Sequence, residues 1–220
     1  MSVPKRTWAL ILVVVSGPVL AGAWLALRSD SSDTASGTAD GVTTGAWTGG
    51  AGRDRAFTPL FLAAACGDAA AARRLLRQGA SPESGAGKGW TPLHIAAYSG
   101  HPDVARILLG AGASPRSLTA SLNTPLHCAC QGGDRATVGL LVAGGADPNA
   151  RAVSGETPLH IAADYGQAEC IEPLVDLGGE LNAEDNGGQT PLDHAIQTEH
   201  AEAAAVLRAL GGRRGAGTAD

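Results

Sequence analysis

The sequence predicts an all-α fold: a solenoid of helix-turn-helix units joined by turns, preceded by one N-terminal apolar helix. Three observations carry this. The tripeptide Thr-Pro-Leu returns at Thr58, Thr91, Thr124, Thr157 and Thr190, always at intervals of 33 residues. Residues Trp8 to Leu27 run for twenty positions without a charge. Between these regions, residues 29–53 are mostly Ser, Thr, Gly, Ala and Asp, with Val42 and Trp47 the only large apolar side chains.

The first element, residues 1–28, is a membrane anchor or a signal peptide. Twenty apolar residues match the hydrocarbon thickness of a bilayer. Lys5 and Arg6 precede the run and Arg28 closes it. The stronger positive flank keeps the N-terminus in the cytoplasm and sends the rest across. Trp8 and Trp24 stand near the two ends, where interfacial aromatics are favoured. A cleaved signal also fits: Ser16-Gly17-Pro18 breaks the run, and Ala21-Gly22-Ala23 obeys the small-residue cleavage rule. Both readings export the remainder, as a single-pass membrane protein or as a released one cut near Ala23.

The second element, residues 29–53, cannot bury enough surface to offset its ordering entropy and reads as a flexible tether. As a coil it spans roughly 25–30 Å. Trp47 within it reads as a stray exposed residue. The remainder divides into five units, at about 54–87, 88–120, 121–153, 154–186 and 187–212, with a disordered tail at 213–220.

Each unit justifies two helices. Thr is a good N-cap, and Pro suits the first turn because its missing N–H has no partner there anyway. Gly67, Gly100, Gly133 and Gly166 lie nine residues after each Thr, where a helix stops in a left-handed conformation. A second helix follows, with Leu75-Leu76, Leu108-Leu109, Leu141-Val142 and Leu174-Val175 toward the core. Gly79, Gly112, Gly145, Gly178 and Gly211 end it. The end units depart as caps: Phe61 replaces the recurring His in the first, and Asp193 and Glu199 replace His and Gly in the last. Pro173 falls inside a second helix and predicts a late start, a kink or a cost of about 3 kcal/mol, making the fourth unit the weak joint.

The in-register segments T-P-L-F-L-A-A, T-P-L-H-I-A-A, T-P-L-H-C-A-C, T-P-L-H-I-A-A and T-P-L-D-H-A-I resemble the ankyrin repeat over residues 54–212. The resemblance implies a non-catalytic module that binds another protein through its turn tips and the exposed side of each first helix. It places Phe57, Trp90, Asn123, Glu156 and Gln189 just before the Thr positions. It places Tyr98, Gln131, Asp164, Tyr165, Gln197 and Thr198 seven or eight residues after them. Four of the five aromatics in the repeats occupy such positions, and aromatics are enriched in interaction hot spots. Phe57 and Trp90 also fit hydrophobic staples onto Leu62 and Ile95. Tyr98 and Tyr165 have no such structural role and read as contact residues.

Other chemistry finds no residues. His94, His127 and His160 recur one repeat apart, roughly 8–10 Å, too far to share an ion that needs ligands within about 2.1 Å. In the family this His serves loop hydrogen bonding. Cys66, Cys128, Cys130 and Cys170 form no Cys-x-x-Cys pair, and Cys130 and Cys170 read as buried thiols on neighbouring repeats. Their pairing would require geometry that spacing does not supply. Residues 182–193 echo a calcium loop only loosely, since the first ligand is Asn and a helix start interrupts them. No nucleophile setting, P-loop or dinucleotide fingerprint occurs, so neither enzyme, cofactor nor metal is expected.

Sixteen basic against 21 acidic residues argue against a nucleic-acid binder. The charge is uneven. Residues 54–153 carry nine basic and six acidic residues, whereas residues 154–212 carry Arg208 against eleven acidic. Such an end attracts a basic partner surface, with salt-sensitive association. The expected function is a scaffold, inhibitor or stabilising partner outside the membrane. A second expectation is an accessory factor for an extracytoplasmic oxidative-stress enzyme.

Overall fold

The computed structural model describes residues 57–215. The apolar segment 8–27, the tether at 29–53 and residues 216–220 lie outside the described residues. Among the described residues no helix is long and apolar enough to cross a membrane.

Ten α-helices follow one another in five pairs. They are α1 (Pro59–Cys66) and α2 (Ala69–Arg77), α3 (Pro92–Tyr98) and α4 (Pro102–Gly110), α5 (Pro125–Gly132) and α6 (Arg135–Ala143), α7 (Pro158–Asp164) and α8 (Ala168–Asp176), and α9 (Pro191–Gln197) and α10 (Ala201–Ala209). First helices pack on first helices and second helices on second helices along the chain, giving two layers. The described residues contain no strand.

Local chemistry sets the helix ends. Thr58, Thr91, Thr124, Thr157 and Thr190 have extended backbones, with Pro beginning the helix after each. The Thr58 hydroxyl accepts the Phe61 N–H at 3.1 Å, satisfying an otherwise orphaned donor. Gly133 closes α5 at φ +78°, and a Cβ there would stand 2.2 Å from the Gln167 side chain of the next pair. The left-handed backbone therefore favours glycine, and any Cβ would have to displace the end of the Gln167 side chain. Glu199 holds the equivalent left-handed position after α9, at φ +60°. No further helix pair follows among the described residues to crowd its side chain.

The core repeats with the sequence. Leu93, Leu126 and Leu159 of the first helices and Leu108, Leu141, Leu174 and Leu207 of the second are fully buried. Each such side chain contributes about 1.5–3 kcal/mol through removal from water. Leu75, the equivalent in α2, is only half-buried; no pair precedes it among the described residues. Pro173 neither ends α8 nor delays it; the helix runs from Ala168 to Asp176 with Pro173 buried. The helical bond that Pro173 cannot make falls on the carbonyl of Glu169, an exposed residue of the first turn.

The turns between pairs stack as a ladder. Ala120 N–H donates to the Lys88 carbonyl at 2.8 Å, Val153 N–H to Ser121 at 3.1 Å, and Asn186 N–H to Ser154 at 3.0 Å. These bonds align successive turn tips beside the first-helix layer.

Candidate functional site: the first-helix face

The repeating histidines lock the turns to the helices. The backbone N–H groups of Thr91, Thr124 and Thr157 donate to Nδ1 of His94, His127 and His160 at 3.2, 3.2 and 3.1 Å. Nδ1 is therefore unprotonated and Nε2 carries the hydrogen. Nε2 then donates to the carbonyl 29 residues on, at Asn123, Glu156 and Gln189, at 3.1, 3.2 and 3.1 Å. Burial disfavours the charged ring: it pushes His94 down to about 4, and lowers His127 and His160 likewise. These rings are structural hydrogen-bonding groups, and among the described residues no three His, Cys, Asp or Glu side chains are placed to hold a metal.

Between the third and fourth pairs lies a groove of about 450 Å³. It gathers Asn123 and Gln131 from one repeat with Glu156, Asp164 and Tyr165 from the next. Sequence placed all five on the binding face. Ser121, Val153 and Ser154 supply the turn-tip wall, which sequence reasoning passed over. A signal for the tips existed. Val153 aligns with Gly87, Ala120 and Asn186, and its neighbour Leu122 aligns with Gly89, Gly155 and Gly188. Large apolar residues where a turn ordinarily carries small or polar ones are visible in one-dimensional register.

The remaining candidates lie apart from that groove's lining. Phe57 stacks on Phe61 with ring centroids 5.2 Å apart, and Trp90 tilts over His94 at 5.9 Å. Both half-buried rings thus meet the third residue of the helix and pack against the core. Tyr98 is half-buried, and its hydroxyl is held above the ordinary tyrosine range by burial first and then by Tyr165 and Cys128. The Gln189 main chain receives His160, and Gln197 is exposed at the end of α9, with Thr198 just beyond.

His194 was not singled out by sequence, because it occupies the apolar position of Ile95, Cys128 and Ile161. Its buried ring stands edge-on to His160, with centroids 5.1 Å apart. Nε2 lies 3.1 Å from Asp185 Oδ2, while Nδ1 lies 3.7 Å from Asp164 and 4.0 Å from Glu156. Burial pushes the Asp185 carboxyl up, but N–H groups from Gln189, His194 and Gly187 outweigh it and hold the acid below its ordinary range.

The last junction is built differently. Asp193 accepts the Thr190 N–H at 3.0 Å and the Gly215 N–H at 2.7 Å, and pairs with Arg214 Nε at 3.0 Å. Burial raises the Asp193 carboxyl, yet these donors outweigh it and bring it down to about 2. Residues 213–215, which sequence assigned to a disordered tail, are instead bonded to the fifth pair. Arg213 N–H also donates to Asn182 at 2.6 Å.

All four cysteines are free thiols: Cys128, Cys130 and Cys170 are buried and Cys66 is exposed. Burial pushes the Cys128 thiol up to about 12 and Cys170 to about 11. A second concavity, about 630 Å³, lies along the second helices. Its lining mixes Arg106 and Arg135 with Asp134 and Glu169, so its charges offset each other.

A stack of helix pairs with aligned turn tips and a groove across two repeats defines a helical-repeat module. The sequence profile of ankyrin repeats, in its three-copy form, matches residues 48–119 and 126–213. The chain belongs to the ankyrin repeat family, whose repeats are protein–protein interaction modules and generally non-catalytic. A comparison with curated proteins found no match.

Proposed function

We propose that this chain is a non-catalytic module of five ankyrin repeats that holds a partner protein on its first-helix face, tethered on the extracytoplasmic side of a membrane. The groove that unites Gln131, Glu156, Asp164 and Tyr165 carries the reading. A tyrosine beside convergent polar groups is the composition of an interaction hot spot. The acidic balance of residues 154–212 favours a partner with a basic surface. Residues 8–27 support the tether by their length and flanking charges. Cleavage near Ala23 would give the same module in released form.

A photo-crosslinking residue at Tyr165 of the full chain tests the binding face, with one at Arg106 on the second-helix side as the comparison. A discrete protein adduct at 165 and none at 106 is expected. Equal labelling at both positions, or labelling at 106 alone, overturns the assignment. Phosphatase fused after Asp220 tests the tether: activity outside the cytoplasmic membrane is expected, and activity only inside overturns it.

A further inference from the structure

We infer that the groove between the third and fourth helix pairs takes an arginine or lysine side chain from an extended partner segment, with a neighbouring aliphatic residue lying over the turn tips at Leu122 and Val153. This rests on the protein-binding reading above and names the chemistry of its partner.

The apolar part of the argument begins at Leu122. It stands at φ +59°, in the left-handed region, where Gly89, Gly155 and Gly188 occupy the equivalent turns at φ +76°, +82° and +73°. A bulky L-residue is strained there. The side chain is nevertheless 42% exposed, so it recovers little of that strain by burial in its own fold. Val153, joined to Ser121 through the turn ladder, is 61% exposed and forms part of the groove wall. Tyr165, also exposed, lines the same groove. The turns of these two repeats thus present aliphatic surface that no described residue covers.

Charge complementarity selects the occupant. Glu156 and Asp164 line the groove, and among the described residues their ion pairs are both with His194. His194 is shared with Asp185 as well. One imidazole carries at most one positive charge and faces three carboxylates, so the cluster keeps an excess of at least two negative charges. Arg151, on the nearby turn, is directed elsewhere: its Nε donates to the Gly155 carbonyl at 3.1 Å and its Nη2 to the Glu184 carbonyl. A guanidinium or ammonium entering beside Tyr165 gains the two carboxylates and the aromatic face together. An acidic or purely aliphatic segment would desolvate the two carboxylates while adding no cation to the His194 they share.

The test is titration of the full 220-residue chain with a labelled, end-capped nonapeptide alternating Leu and Arg, followed by fluorescence anisotropy. The same peptide with Glu for Arg, and one with Ser for Leu, serve as comparisons. Binding of the Leu/Arg peptide is expected, with at least tenfold weaker binding by either comparison. The double variant Glu156→Gln, Asp164→Asn should lose at least tenfold in affinity. Glu172→Gln with Asp176→Asn removes the same charge from the exposed side of α8 and should change affinity less than twofold. Leu122→Gly should weaken binding several-fold while raising the unfolding midpoint, because the strain is relieved. That variant keeps the test valid should the double variant fold poorly. Equal losses from the two charge-removing pairs would reduce the effect to net charge and overturn the proposal. So would unchanged affinity in Leu122→Gly, or no binding of the Leu/Arg peptide. An adduct at Tyr165 in the crosslinking experiment would then still stand for a partner of other chemistry. Failure of both would remove the binding-face reading itself.

Discussion

The inner junctions of the stack and its last junction solve one problem with opposite electrostatics. Between the second, third, fourth and fifth pairs, a buried neutral histidine bonds a threonine N–H on one side and a carbonyl of the following turn on the other. At the end of the stack, Asp193 keeps the threonine bond and receives Arg214 and the Gly215 N–H in place of a following repeat. The neutral ring suits a junction closed on both sides, since burying a charge there would be costly. The carboxylate suits a charged partner: the guanidinium beside it is 39% exposed and stays partly hydrated while it pairs.

This contrast separates in acid. For the histidines the folded state holds fewer protons than the unfolded one. Their stabilisation is therefore complete above 6.5 and is lost as pH falls below it, in the case of His94 toward about 4. For His94 alone that interval corresponds to roughly 3 kcal/mol, the largest effect expected. Asp193 also holds fewer protons when folded, but lower on the scale: its contribution is complete above 3.8 and lost as pH falls toward about 2. Urea unfolding at successive pH values should show the histidine loss first. A stability that is flat from pH 7 to 4 would break the comparison.

The next effect in size is His127→Ala. It strips an acceptor from Thr124 N–H and a donor from the Glu156 carbonyl and leaves a cavity. We expect a loss of about 2–4 kcal/mol in urea unfolding, together with a shallower acid loss above pH 4. A loss below about 0.5 kcal/mol would mean the ring is incidental to the junction.

The smallest effects belong to the last junction. Asp193→Asn should cost about 1–2 kcal/mol at neutral pH, because the buried N–H donors lose a charged acceptor, and it should erase the loss below 3.8. Arg214→Ala should cost less than about 1 kcal/mol, and less still in concentrated salt, since the pair is open to water on the arginine side. Unfolding in low and high salt separates the two. An Arg214→Ala cost equal to that of Asp193→Asn would show that the guanidinium carries the clamp.

How much of this was legible depends on the range of the interaction. Thr124 announced a helix start and Gly133 a left-handed stop, because capping and backbone sterics act within a few residues. Gln131, Glu156, Asp164 and Tyr165 were placed on one face by the repeat register alone. His194 was not, because its role comes from Asp164, Glu156 and Asp185 on the preceding repeat and turn, and no local pattern marks a histidine in an apolar position as one with acidic neighbours. For Pro173 the late start that the sequence allowed is absent, since α8 runs from Ala168 to Asp176 through it, and no local pattern showed that its ring would be buried.

By itself the sequence determined the period, the helix starts and stops, the buried leucines and the acidic bias of residues 154–212. All of these follow from spacing, residue size and the caps each turn requires. Only the tertiary structure decided that Arg214 and Gly215 bond to Asp193, and that exposed Val153 lines the groove beside Tyr165, with strained Leu122 on the adjoining turn. It alone brought three carboxylates around His194. Those contacts join residues up to 38 positions apart, and distance through space is set by the stacking of whole helix pairs, which no single repeat encodes.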